Sequence, residues 1–249
     1  MFAIISDIHG NLEALSVVLA DIRQRNITEI LCLGDVVGYG PNPRECLDLV
    51  METCQAALMG NHDFAVFYEP YNFNTGAESA SYWTRRCFEQ ESNAEVRSKR
   101  WRFLGQLPPR VKTDQYVALH ASPRRPINEY IFPDDIYTNP GKFVAMFERV
   151  DRLCFVGHTH VPGVFLEGPD FYTPDELDYR FEITDEKAII NVGSVGQPRD
   201  RDPRSSYIVV DNNQVEFVRL NYDVKTTVKK IEAVPELDAF LAARLLDGR

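Results

Sequence analysis

The 249-residue sequence has no apolar run approaching the roughly 18 residues of a membrane span, and its opening stretch, MFAIIS, has no basic flank of the kind that begins a signal peptide. A soluble, cytoplasmic protein is expected. Cysteine is sparse: Cys32, Cys46, Cys54, Cys87 and Cys154 are odd in number and form no CxxC pair, which argues against a disulfide framework or a zinc ribbon. Each reads instead as a small hydrophobe. Positive charge is in deficit, with 27 Lys and Arg against 37 Asp and Glu for a net charge of −10. Non-specific nucleic-acid binding needs basic groups on the phosphates and is disfavoured, whereas a phosphate ester held at a metal is not. Hydrophobic residues make up 44%, enough for a full core and against disorder. One domain over 1–249 is expected, of the α/β class.

Histidine is scarce as well, and its placement carries information. Met1 to Ser6 reads as a strand running into Asp7, Ile8 and His9, and a helix capped by Asn11 follows, with Leu12, Leu15, Val18, Leu19 and Ile22 at helical spacing. Glu29 to Leu33 is a second strand ending at Gly34-Asp35, so the first two strands should be parallel, with Asp7, His9 and Asp35 at one sheet end. Asn42, Pro43 and Glu45 mark a second helix start, and Ala56 to Met59 leads straight into Gly60-Asn61-His62-Asp63. Residues 64–104 break the rhythm with many aromatics and two helices near 76–90 and 93–104. Aromatics at that spacing are usually core, although a helical cap over the site is a further expectation. A hairpin over Arg110–Lys112 and Tyr116–His120, a helix from Pro140 to Arg149 and a strand from Leu153 to Val156 follow. Strands near Val164, Tyr179–Ile183, Lys187–Asn191, Tyr207–Val210 and Gln214–Leu220 look antiparallel, and two helices start near Asp223 and Pro235. The eight acidic residues between Glu167 and Glu186 read as a solvated hairpin.

All five histidines, His9, His62, His120, His158 and His160, fall at or just beyond the ends of apolar strand-like runs, with Gly10, Gly34, Gly60 and Gly157 beside the polar clusters. Imidazoles, carboxylates and a carboxamide make the mixed nitrogen and oxygen set that suits Zn, Mn, Fe, Co or Ni. Asp7, His9, Asp35, Asn61, His120, His158 and His160 are seven ligands, more than one ion needs. If Asp35 bridges, two divalent ions receive about four each and can hold a hydroxide between them for attack on phosphorus.

The ordered blocks DxH at Asp7–His9, GDxxG at Gly34–Gly38, GNHD at Gly60–Asp63, then His120, and GHTH at Gly157–His160 resemble those of the calcineurin-like metallophosphoesterase superfamily, across residues 1–160. The resemblance implies a four-layer α-β-β-α sandwich with two mixed sheets. It also implies a first metal on Asp7, His9 and His160, a second on Asn61, His120 and His158, and Asp35 between them. His62 would face the phosphate and Asp63 would orient it. HASPRRPINEY from His120 and NVGSVGQPRDRDPRSSY from Asn191 resemble a bacterial and archaeal branch of small phosphodiesterases and dinucleoside tetraphosphatases, with Ala121 where a glycine is usual. Arg124 and Arg199 are candidate phosphate clamps, because guanidinium matches phosphate bidentately; structural ion pairs are the competing reading. The expected activity is in-line hydrolysis of a phosphoric mono- or diester, including a small ester, a nucleotide, a dinucleoside polyphosphate or a phosphoprotein. A metal-binding scaffold without catalysis is the reading from another class.

Overall fold

The computed structural model describes residues 1–168 and 170–249. β1 (Phe2–Ile5), α1 (Leu12–Gln24) and β2 (Ile30–Cys32) form the expected unit, with Ala3, Ile4 and Ile5 paired in parallel to Ile30, Leu31 and Cys32. The Asn11 side chain accepts from the Ala14 amide and so satisfies one of the orphan donors at the start of α1. α2 (Pro43–Thr53) leads to β3 (Ala56–Ala57), parallel to β2, and then come α3 (Asn61–Phe67), α4 (Thr75–Glu89) and α5 (Ala94–Gln106). The remaining elements are β4 (Arg110–Lys112), β5 (Tyr116–Leu119), α6 (Asp135–Thr138), α7 (Pro140–Phe147), β6 (Leu153–Val156), β7 (Gly163–Leu166), β8 (Asp170–Tyr172), β9 (Arg180–Glu182), β10 (Ala188–Asn191), β11 (Ser205–Asp211), β12 (Gln214–Leu220), α8 (Val224–Glu232) and α9 (Ala239–Asp247).

The strands make two mixed sheets, in the orders β3-β2-β1-β11-β12-β9 and β4-β5-β6-β10-β7-β8. Strand alternation sorts the side chains between layers. In β1, Ala3 and Ile5 face the cluster shared with α1 and α2, while Ile4 faces the second sheet. In β6, Leu153 and Phe155 meet the first sheet, and Cys154 and Val156 meet Phe143, Met146 and Phe147 of α7. Helices, two sheets and helices thus form four layers, as expected. All five cysteines are free thiols, and Cys32, Cys46 and Cys154 lie in these cores.

Three features depart from the sequence reading. β10 inserts between β6 and β7, so it runs parallel to β6 and antiparallel only to β7. The loop between β6 and β7, which carries His158 and His160, skips one strand position, and β10 fills the slot it leaves. The acidic segment from Glu167 to Glu186 is no hairpin: β8 pairs with β7 in one sheet and β9 pairs with β12 in the other. Its charges decorate a crossing between sheets, and alternation alone cannot say which sheet a short strand joins. The GNHD block opens the unforeseen helix α3. Within residues 64–104, Phe88, Trp101 and Leu104 pack into the core, and the stretch before α4 borders the site described next. Among the described residues, no helix is long and apolar enough to cross a membrane.

Candidate metal centre

Asp7 and His9 follow β1, Asp35 follows β2, Asn61 and His62 open α3 after β3, His120 follows β5, and His158 and His160 follow β6. Paired parallel strands therefore deliver every candidate ligand to one end of the two sheets. Asp7, His9, Asp35, His158 and His160 all have φ between 49° and 66°, the left-handed region that costs non-glycine residues about 1–2 kcal/mol. That backbone twist turns each side chain off its strand and into the centre.

Each carboxylate is anchored by one oxygen. Asp7 Oδ2 accepts from the His158 amide at 2.9 Å and Asp35 Oδ1 from the His62 amide at 2.8 Å. The free oxygens point inward: Asp7 Oδ1 lies 3.2 Å from His160 Nε2, and Asp35 Oδ2 lies 3.7 Å from His9 Nε2 and 3.3 Å from His120 Nε2. His120 Nε2 also approaches Asn61 Oδ1 at 3.1 Å and His158 Nδ1 at 3.2 Å, and His9 Nε2 approaches His160 Nε2 at 3.1 Å. Asp35 thus sits between a His9/His160/Asp7 group and a His120/His158/Asn61 group.

The outward nitrogens fix the tautomers. Nδ1 of His9, His120 and His160 faces the carbonyls of Val37, Leu33 and Gln197 at 3.3, 3.1 and 2.5 Å. A carbonyl only accepts, so Nδ1 carries a proton in each ring, and Nε2 is the atom turned to the centre, where it ligates a metal once free of any proton of its own. Among the described residues, Asp7 Oδ1 has no hydrogen-bond donor. Buried carboxylate oxygens and imidazole nitrogens turned on one another at 3.1 to 3.7 Å fit the divalent ions that the ligand set implies.

Burial pushes His9, His158 and His160 below the usual imidazole range, and brings His62 down to about 4. His120 goes the other way: burial opposes its charge, but Asp35 and Asp7 raise it to about 9. Despite their burial, Asp7 and Asp35 are held below the ordinary carboxylate range, Asp7 chiefly by His160 and Asp35 chiefly by His120.

Close approach explains two glycines. A Cβ on Gly60 would overlap Asp35, and one on Gly38, whose φ is +87°, would collide with the His62 ring. Asp63 lies beneath the site but does not touch the His62 ring, whose Nδ1 has no partner. Its carboxylate accepts from the amides of Asp35, Val36, Val37 and Gly60 at 2.7 to 3.3 Å. The orienting role expected of Asp63 therefore falls on the Asp35 loop and not on His62, which Tyr39 and Phe73 pack at centroid distances of 4.2 and 4.6 Å.

The two arginines part company. Arg124 pairs with Glu129 at 3.4 Å. Arg199 lies over the Tyr39 ring, donates to the Gln197 side chain at 2.7 Å and leaves its Nε unpaired. Sequence reasoning missed Tyr39, Arg125 and Tyr130 as neighbours of the site. Tyr39 sits inside the GDxxG block's continuation, GYG, and Tyr130 closes the HASPRRPINEY stretch, so both lay beside recognised motifs. Tyr130 stacks on His158 at 4.1 Å, and Arg125 borders a cleft of about 680 Å³ that opens beside Asn61 and His158.

The sequence profile of the calcineurin-like phosphoesterase family matches residues 1–162, the stretch that holds all seven candidate ligands. The chain belongs to the calcineurin-like phosphoesterase family. An uncharacterized protein of Methanocaldococcus jannaschii is 38% identical over 258 residues, covering 100% of this chain and 98% of its own length. A metallophosphoesterase of Sphaerobacter thermophilus of known crystal structure is 36% identical, with a TM-score of 0.83 and coverage of 100% and 99%. A hypothetical protein of Pyrococcus horikoshii shares the fold at 19% identity, with a TM-score of 0.75 over 100% and 98% of the two chains. The family is metal-dependent, and this calcineurin-like phosphoesterase carries the clustered His and Asp groups such dependence requires.

Proposed function

We propose that the protein hydrolyses phosphoric mono- or diesters at a dinuclear centre. Asp7, His9 and His160 would hold one ion, Asn61, His120 and His158 the other, and Asp35 both. The observation that carries this reading is the set of imidazole Nε2 atoms, turned inward by three backbone carbonyls and converging with two inward carboxylate oxygens. Two divalent ions bound there would neutralise phosphoryl oxygens and lower the pKa of water.

The chain's own residues do the rest. Asp63 fixes the loop that presents Asp35, and Arg199 supplies a guanidinium to a phosphoryl oxygen facing Tyr39. As a water oxygen that has lost its proton to solvent bonds to phosphorus and the ester P–O bond breaks in line, the neutral His62 ring, lowered to about 4 by burial, donates a hydrogen bond to the departing oxygen, which takes its proton from solvent. Its ring is oriented by packing between Tyr39 and Phe73, and no covalent enzyme intermediate is required. Manganese, iron, zinc, nickel and cobalt all suit this nitrogen and oxygen set.

The test is to strip the protein and reload it with each of these metals, then assay p-nitrophenyl phosphate and bis-p-nitrophenyl phosphate. Two equivalents of metal and turnover of at least one ester are expected. A folded protein that binds two equivalents yet is silent on every ester with every metal would establish the scaffold reading instead. His62→Asn is expected to reduce monoester turnover by about 10²-fold or more, and activated diester turnover much less.

A further inference from the structure

The 680 Å³ cleft is far larger than a phosphate needs, and lies within the roughly 300–1,000 Å³ range of pockets that hold drug-sized organic ligands. Its position is set by two residues it shares with the metal centre, Asn61 and His158. An ester oxygen leaving a phosphate at that centre therefore opens directly into it. The opposite flank is shut: around His9, the residues Tyr39, Gln197, Leu241 and Leu245 leave a void of only about 10 Å³, about the least that holds one water. Of these two flanks, only the cleft has room for the organic part of a substrate.

The lining says what that part is. Phe64, Tyr71, Phe73 and Tyr130 present four rings, and Tyr71 is 74% and Tyr130 43% exposed. Tyr130 already stacks on His158 and Phe132, Phe73 packs on His62 and Phe64 on Tyr68, so the open face that invites a planar partner in this concave site is that of Tyr71. Between the rings stand the carboxamides of Asn72 and Asn128, each both donor and acceptor, together with Arg125. An aliphatic leaving group would leave those polar groups unpaired, and a bare sugar has no planar face to lay on Tyr71. A nucleobase uses both, its face on Tyr71 and its edge on the amides.

We propose that the cleft binds the nucleoside of a nucleoside phosphate ester, making such esters the substrate class of this centre. The proposal rests on the preceding reading for the position of the phosphate. Its test uses the metal-loaded full chain and isothermal calorimetry with adenosine 5′-monophosphate, ribose 5-phosphate and inorganic phosphate. The nucleotide is expected to bind at least tenfold more tightly than ribose 5-phosphate. Because base–ring stacking is worth about 1–3 kcal/mol, Tyr71→Ala should reduce that preference about tenfold, and Tyr71→Phe should retain it. Equal affinity for the nucleotide and the sugar phosphate overturns the proposal, as does a Tyr71→Ala loss equal for all three ligands. A phosphoserine peptide binding more tightly than the nucleotide would also overturn it and assign the cleft to phosphoproteins. Turnover of bis-p-nitrophenyl phosphate without nucleotide preference would sink this proposal alone. Absence of all turnover would sink the hydrolase reading, and the calorimetry would still decide what the cleft binds.

Discussion

The two ends of the centre are built differently. At the closed end, Asp7, His9 and His160 all take left-handed backbone angles, and Tyr39 and Arg199 press over them. At the open end, His158 alone has a positive φ, while His120 and Asn61 sit on ordinary backbone beside a broad cleft. Backbone strain collects at the closed end, and room is left at the open one. Rigidity and breadth are thus divided between the two halves of one site.

Asp35 belongs to both ends, which makes its loss the largest effect expected. Asp35→Asn should lower the bound metal count below two and reduce turnover by on the order of 10³-fold, while circular dichroism reports an intact fold. If metal analysis still finds two equivalents and activity survives, another residue joins the two halves.

Much of this division was legible in the sequence, because the ligands follow β1, β2, β3, β5 and β6 by one to four residues and parallel units bring strand ends together. Asp7, His9 and Asp35 could be placed at one sheet end from β1, α1 and β2 alone. The rest depends on contacts between distant segments. That Asp63 bonds the amides of Asp35, Val36 and Val37 follows from how α3 docks against the β2 loop, and no local pattern encodes it. The same holds for β10 slipping between β6 and β7, and for the ion pair that occupies Arg124 while the Arg199 Nε is left without a partner among the described residues.

The arginines test the closed end. A charge-assisted contact to phosphate is worth about 1.5–3 kcal/mol, so Arg199→Ala should raise KM for a small ester by about 10- to 100-fold. Arg124→Ala, which removes the partner of Glu129, should change KM less than about threefold. Equal effects from the two would erase the distinction between them.

The open end can be probed through protons. In the metal-free protein His120 titrates near 9, above its unfolded value of about 6.5. Its contribution to stability is therefore fully present below about pH 6.5 and lost as pH rises through 9. Metal at this ring displaces the Nε2 proton, so affinity for the ion at the open end should rise about tenfold per pH unit between 6.5 and 9. The closed-end rings His9 and His160 are neutral in that range, and affinity there should be nearly flat. Competition with a chelator of known affinity, read at several pH values, would show one steep and one flat site. Two equal slopes would break the contrast.

The smallest effect addresses the strain itself. His160 has a φ of 62° and His120 an ordinary one. Replacing His160 by glycine relieves a left-handed backbone that alanine would keep, so in the metal-free protein His160→Gly should be more stable than His160→Ala by about 1 kcal/mol. At His120 the order reverses, since glycine there only loosens the unfolded chain, and alanine should be the more stable by about 0.5–1 kcal/mol. Chemical denaturation of the four variants measures both differences in one series. Comparing substitutions within a position cancels the lost imidazole contacts, so the sign of each difference reports backbone strain alone. If glycine is no better than alanine at His160, the closed end is held in place by its packing at no backbone cost, and the contrast with the open end is one of room only.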